Sequence, residues 1–264
     1  MARQVTHDAE MEAQAIRTAV RERYARSATT GSSCCSDTPG AVGDQIVETG
    51  APSCCATAPV TFVDGRALPV DIAGGSLGCG APIDVAALQR GETVVDLGSG
   101  AGLDVFLAAD TVGPAGRAIG VDMTPEMITK ARANAARLGV TNVAFRLGEI
   151  EHLPVPDESV DVVISNCVIN LLPNKRPAFE EAYRVLRPGG RLVVSDIVSA
   201  GPLPDELKTP DRWTACLGGA IPERDYIGAI EAAGFTDVAV LSKRGYEGGV
   251  LFSATIRAVK PARP

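Results

Sequence analysis

"TVVDLGSGAGLD", residues 93–104, decides the fold. Its first half is aliphatic and β-branched, as in a strand buried on both faces. Its second half places glycine at 98, 100 and 102, then hands over to the helical "LDVFLAADTV". A strand that ends in a glycine turn and opens a helix lets the backbone approach a ligand closely. The helix N-terminus there favours an anionic group. The glycine spacing is G-x-G-x-G rather than the G-x-G-x-x-G of the dinucleotide fingerprint, so a pyrophosphate is not demanded.

The same alternation continues outward. "RAIGVDM" reads as a second strand and "TPEMITKARANAARLG" as a helix, with Thr124 as N-cap, Pro125 in its first turn and Gly139 at its end. "NVAFRLGE" and "SVDVVISNCV" read as strands, "RPAFEEAYRVLRPGG" as a helix stopped by Pro188, and "RLVVSDIV" as a strand. After an insert, "ERDYIGAIEAAGF" is helical, and "DVAVLSKR" and "VLFSATIRAV" form an antiparallel edge hairpin. Strands alternating with helices predict an α/β fold with a mostly parallel sheet covered on both faces. Upstream, residues 9–26 read as an amphipathic helix. Residues 27–59 are rich in Ser, Thr, Gly, Pro and Cys, which is loop composition.

Totals narrow the function. The 264 residues are 45% apolar and 22% charged, enough for a substantial core. A net charge of −7 argues against nucleic acid as a partner. No run approaches a membrane span, and the N-terminus has no apolar signal core, so a cytoplasmic location is expected. The unusual total is seven cysteines beside only two histidines. Thiols in a reducing compartment pack, bind soft ions or do redox chemistry.

Asp122 closes the second strand, where a carboxylate suits two ribose hydroxyls. Gly148, Glu149 and Ile150 follow the third. The order "DLGSGAGLD", "GVDM", "GEIEHLPVPDESVD" and "RPGG" resembles the class I S-adenosylmethionine-dependent methyltransferases over residues 93–258. The resemblance implies a Rossmann-like, seven-stranded sheet and S-adenosylmethionine as cofactor. It puts the methionine end of that cofactor at Gly98 and Gly100, the ribose at Asp122 with Met123, and the adenine at Glu149 with Ile150. Asp96 and Asn166 are further candidates to orient the cofactor.

In this fold the fourth strand ends at the transferred methyl group, and there the sequence reads "SNCVIN", residues 165–170. Oxygen methylation needs a base or metal to remove a proton, and no such cluster is seen. A substrate that already carries a lone pair fits better, such as a trivalent metalloid held by thiolates. Cys79 in "SLGCGAP" and Cys216 in "WTACLGGAIP" both lie in irregular, glycine-containing segments. The set "GCG", "SNCVIN" and "CLGGA" resembles the arsenite methyltransferases over residues 76–258. That resemblance implies As(III), as arsenite or its thiol conjugates, bound by Cys79, Cys167 and Cys216. It also implies a thiol reductant, thioredoxin or glutathione.

Cys34, Cys35, Cys54 and Cys55 remain open between a redox relay, extra metalloid capture and a zinc cluster, the last weakest because CC-x18-CC is not a common zinc spacing. The expected organisation is an N-terminal helix and Cys-containing arm over 1–75 and a methyltransferase domain over 76–264. An insert at 199–221 completes the As(III) site, and the protein is expected to be a monomer. Glu151 and His152 read as a polar loop over the adenine, Trp213 as a lid or anchor of the insert, and Glu180 and Glu181 as a solvated helix face. Two alternatives stand beside this reading: a methyltransferase of quinone-like or sterol-like molecules, and a metalloid-sequestering protein without catalysis. The number of methyl groups added, and acceptance of antimony or selenium, are not legible.

Overall fold

Seven apolar runs become seven strands: β1 (Thr93–Leu97), β2 (Arg117–Asp122), β3 (Val143–Leu147), β4 (Val160–Asn166), β5 (Leu186–Ser199), β6 (Thr236–Gly245) and β7 (Leu251–Val259). They form one sheet in the order β3-β2-β1-β4-β5-β7-β6. The first five strands are parallel, and β7 runs antiparallel to both β5 and β6. The expected hairpin is therefore present, with β7 inserted between β5 and the edge strand β6. The computed structural model describes residues 2–30, 60–62, 67–73, 80–246 and 249–263. Cys34, Cys35, Cys54, Cys55 and Cys79 lie outside the described residues.

Helices α4 (Leu103–Val112) and α5 (Pro125–Leu138) cover one face, and α6 (Arg176–Val185) and α8 (Glu223–Ala232) the other. Each face has an edge-to-face aromatic pair, Phe106 on Phe145 at 5.7 Å and Phe179 on Tyr226 at 5.3 Å. Such pairs add about 0.5–1.5 kcal/mol beyond the area they bury. The short helices α2 (Val70–Ala73) and α3 (Pro82–Val85) precede β1, and α7 (Pro210–Thr214) lies in the insert after β5. No described helix is long and apolar enough to cross a membrane.

Two expectations are corrected. Helix α6 ends at Val185, not at Pro188, and Leu186 already pairs with Val160 of β4. Pro188 falls in an irregular stretch of β5, where the pairing register shifts between Val160 and Val162. Glu181 is not a solvated residue: it accepts from the Leu153 N–H at 2.7 Å and pairs with Arg184, while Glu180 does face outward, paired with Arg176. The N-terminal helix α1 (Ala2–Thr30) is longer than its amphipathic stretch and packs against the domain.

The sheet order fixes where a ligand can sit. From β1 the chain winds outward to β2 and β3, then returns to β4 on the other side of β1. Such a reversal opens a crevice at the carboxyl ends of the strands. The turns after β1 and β4 meet there: a Cβ added to Gly98, at φ +67°, would lie 2.7 Å from Val168 Cβ. Glycine at 98 is therefore required both by backbone conformation and by the neighbouring strand end.

Candidate functional site

The crevice is a cavity of about 1090 Å³, counting the space open to solvent. Of the residues the sequence offers for cofactor binding, Asp96, Gly98, Gly100, Asp122, Met123, Glu149, Ile150 and Asn166 all line it. Gly148 does not. Its N–H donates to the Asp122 carbonyl at 3.0 Å, and a Cβ there would press on Pro154 at 2.8 Å, so it shapes the turn instead.

Asp122 organises the cavity wall. Its carboxylate accepts from Gly100 N–H at 3.0 Å and from Thr124 N–H at 2.8 Å. The glycine turn of β1 is thereby tied to the end of β2. Each carboxylate oxygen keeps lone-pair capacity for a ligand hydroxyl. Ser99 lines the cavity, but its hydroxyl is buried against Gly120 and has no partner among the described residues. Gly100 has open space where a Cβ would stand. These are features of a wall that receives a ligand.

Three carboxyl groups, Asp96, Asp104 and Asp122, crowd this cavity. Burial is the first cause raising all three above the ordinary carboxylate range. For Asp96 the negative charges of Asp104 and Asp122 add to it. Backbone N–H groups of Thr124 and Gly100 oppose the shift at Asp122, and the Asn166 amide opposes it at Asp104. The cavity thus favours a ligand carrying positive charge.

Helix α1 covers the cavity, which sequence reasoning missed. Arg17, Val20 and Tyr24, at helical spacing on one face, line it. Arg17 pairs with Glu151 at 2.7 Å, and Arg21 with Glu149 at 3.5 Å. Glu151 is therefore a cavity residue held by the helix. His152 does not line the cavity.

The thiols stand at the β4 end. Cys167 lines the cavity, is 4% exposed and takes part in a disulfide. Cys216, 5% exposed, is in no disulfide, so the two are not bonded to each other. They are nevertheless neighbours: Cys216 Sγ donates to the Cys167 carbonyl at 2.8 Å, and the Tyr24 hydroxyl lies 3.8 Å from the same sulfur. Both cysteines have left-handed backbone, φ +61° at Cys167 and +65° at Cys216. Non-glycine residues rarely adopt that conformation, and where it persists surrounding contacts must impose it. Trp213 anchors the insert, its indole N–H donating to the Leu171 carbonyl at 3.0 Å.

Asn166 does more than face the cavity. Its amide donates to the Gly80 carbonyl at 2.8 Å and to Asp104 at 3.0 Å, and its oxygen accepts from Gly80 N–H at 3.1 Å. A side chain beside Cys167 thus fixes the backbone of the residue that follows Cys79 in sequence. Among the described residues no group of three His, Cys, Asp or Glu side chains is placed to hold a metal ion.

The methyltransferase domain family profile matches residues 88–244. The chain is 48% identical to an arsenite methyltransferase of Halobacterium salinarum, over 97% of this chain and 69% of that protein. It is 45% identical to one of Aquipseudomonas alcaligenes over 61% of this chain, spanning 48% of that protein. A solved structure of an arsenic(III) S-adenosylmethionine methyltransferase from Chlamydomonas reinhardtii superimposes with a TM-score of 0.66 at 36% identity, covering 75% of this chain and 71% of that one.

Proposed function

The chain belongs to the arsenite methyltransferase family of S-adenosylmethionine-dependent methyltransferases, and on that premise we propose that it methylates trivalent arsenic held by Cys79, Cys167 and Cys216. The observation that carries this reading is the meeting of Cys167 and Cys216 at the end of the cofactor cavity, both in left-handed backbone.

The cavity residues fit the cofactor. When bound, S-adenosylmethionine supplies a methyl group on a positive sulfonium to the arsenic lone pair and leaves as S-adenosylhomocysteine. Asp122 would accept from the ribose hydroxyls, and Glu149 and Ile150 would hold the adenine. The buried carboxyls of Asp96 and Asp104 would offset the positive charge.

Arsenic enters as the hydroxide or a thiol conjugate. Each thiol replaces one ligand, and its proton leaves with the displaced hydroxide as water. Three soft sulfurs suit a soft centre and leave its lone pair outside the cage. Positioning the two reactants is then the protein's main contribution. Methyl transfer raises arsenic toward the pentavalent state, and two thiols, giving a disulfide, supply the two electrons that restore it. Thioredoxin, glutathione or the Cys34, Cys35, Cys54 and Cys55 thiols are the donors in this reading. The protein acts as a monomer in the cytoplasm. In this reading the methyltransferase domain spans 76–264, and the insert at 199–221 brings Cys216. The test is methyl transfer from labelled cofactor to arsenite with a thiol present; no labelled arsenical product would contradict the reading.

Two outcomes follow from the geometry. Because Cys167 is in a disulfide, As(III) binding should depend on reduction. Phosphine-reduced protein should bind As(III) at least about 100-fold more tightly than untreated protein, about 2.7 kcal/mol. Quenching of Trp213, the single tryptophan, measures this, and equal affinities would contradict it. The second concerns pH. Carboxyls with raised folded values hold protons that the unfolded chain has released, so the ligand-free protein loses stability as pH rises from the ordinary carboxylate value through the raised values of Asp96, Asp104 and Asp122. A cationic ligand pulls those values down and releases the protons. The thermal shift produced by saturating S-adenosylmethionine should therefore grow as pH rises above the ordinary carboxylate range. A shift independent of pH would remove the electrostatic account.

A further inference from the structure

Behind Cys216, away from the cofactor cavity, lies a second buried polar cluster. Asp196 in β5 is 1% exposed and accepts three hydrogen bonds at 3.0 Å, from Asn170 N–H, the Tyr226 hydroxyl and Ile197 N–H. Lys175 is buried near it and donates to the Leu172 carbonyl at 3.2 Å. Burial raises Asp196 to about 7 and lowers Lys175 to about 8, and each charge opposes the other's shift. None of Asn170, Lys175, Asp196 and Tyr226 lines the cofactor cavity. A well-packed apolar set would often be no less stable than buried charges, so the cluster calls for a role.

Its outlet is the Cys216 backbone. Asn170 is fully buried, and its amide donates to the carbonyls of Ile197 and of Cys216, the latter at 3.2 Å. On the other side of the same residue, Cys216 N–H donates to the Trp213 carbonyl at 2.9 Å. Leu217 N–H reaches the Arg212 carbonyl at 2.9 Å. Both peptide planes flanking Cys216 are thus held. That is what a non-glycine residue at φ +65° requires. Gly219 closes the loop so tightly over the Asn170 carbonyl that a Cβ would collide with it.

We propose that Asn170, itself fixed by Asp196, is a positioning residue for the substrate thiols: it holds Cys216 in the left-handed conformation that turns its sulfur to Cys167. The significance for arsenic rests on the function proposed above. Asn170 reaches the peptide carbonyl, not the sulfur, so it acts through Cys216 and takes no part in the chemistry.

The experiment compares Asn170→Ala and Tyr226→Phe in the full-length, reduced protein. Tyr226→Phe removes one support of Asp196 without touching the thiol loop, and serves if Asn170→Ala does not fold. Expected are a rise in KM for arsenite of about 10-fold in Asn170→Ala and about 3-fold in Tyr226→Phe, with KM for S-adenosylmethionine within about 2-fold in both. A purely structural role would lower the melting temperature and leave KM for arsenite unchanged, and that result overturns the proposal. If reduced wild-type protein neither binds nor methylates arsenite, the proposed function has failed. Positioning is then read from the rate of Cys216 alkylation by iodoacetamide, followed by mass spectrometry. Faster alkylation in both variants supports the proposal, and unchanged rates overturn it.

Discussion

Cys216→Ser is expected to lower kcat/KM for arsenite by at least about 1000-fold, about 4 kcal/mol, while S-adenosylmethionine affinity stays within about 2-fold. Serine is nearly isosteric, and its hydroxyl can still donate to the Cys167 carbonyl that now accepts from Sγ at 2.8 Å. The fold and the left-handed backbone should therefore persist. What is lost is a soft thiolate, and a hard, protonated oxygen is a poor ligand for a soft centre. Cys167→Ser and Cys79→Ser should behave alike, because two sulfurs do not close a cage. Steady-state kinetics with arsenite, beside calorimetric titration of the cofactor, separates the two effects. Activity within 10-fold of wild type in all three variants would rule out the three-thiolate site.

Asp122→Ala should have the complementary profile, weakening S-adenosylmethionine binding about 100-fold or more while leaving As(III) binding in the reduced protein intact. The carboxylate accepts from Gly100 and Thr124 N–H groups, and each buried donor left without a partner costs about 1–3 kcal/mol. The glycine turn then loses its tie to β2, and the ribose loses its acceptor. Equilibrium dialysis with each ligand measures the split. Loss of both affinities together would mean that Asp122 supports the fold at large rather than the cofactor wall.

Much of this fold is legible in "TVVDLGSGAGLD" and its echoes, because buried parallel strands require unbroken apolar runs and the turns between them require glycine. Helix α4 begins and ends where its sequence pattern does, and Gly139 caps α5 at φ +66°. The end of α6 was harder to read. Proline usually marks a boundary, but here pairing of Leu186 with Val160 stops the helix before Pro188 is reached. At the site, the cavity lining was legible because its residues sit at strand ends in a fixed order. The roof was not. The pattern of α1 states that one face is apolar but not what that face meets, so the roles of Arg17 and Tyr24 emerge only from packing. The 17, 20, 24 spacing was the available signal. Asn170 and Asp196 were hidden for another reason. A polar residue at the end of an apolar run reads as exposed, whereas these two are buried: the Asn170 N–H donates to Asp196, and the Asn170 amide nitrogen donates to the Cys216 loop. The sequence marks Asn166 as a cofactor candidate, and its hydrogen bonds to Gly80 add a tie to the residue after Cys79.

The central claim is that one arsenic atom sits among three protein sulfurs. X-ray absorption at the arsenic edge on reduced protein loaded with one equivalent of As(III) tests it most directly. The account predicts a first shell of three sulfur neighbours in the wild type, and two sulfurs with one oxygen in Cys216→Ser. A wild-type shell dominated by oxygen, or one unchanged by the Cys216 substitution, would contradict it.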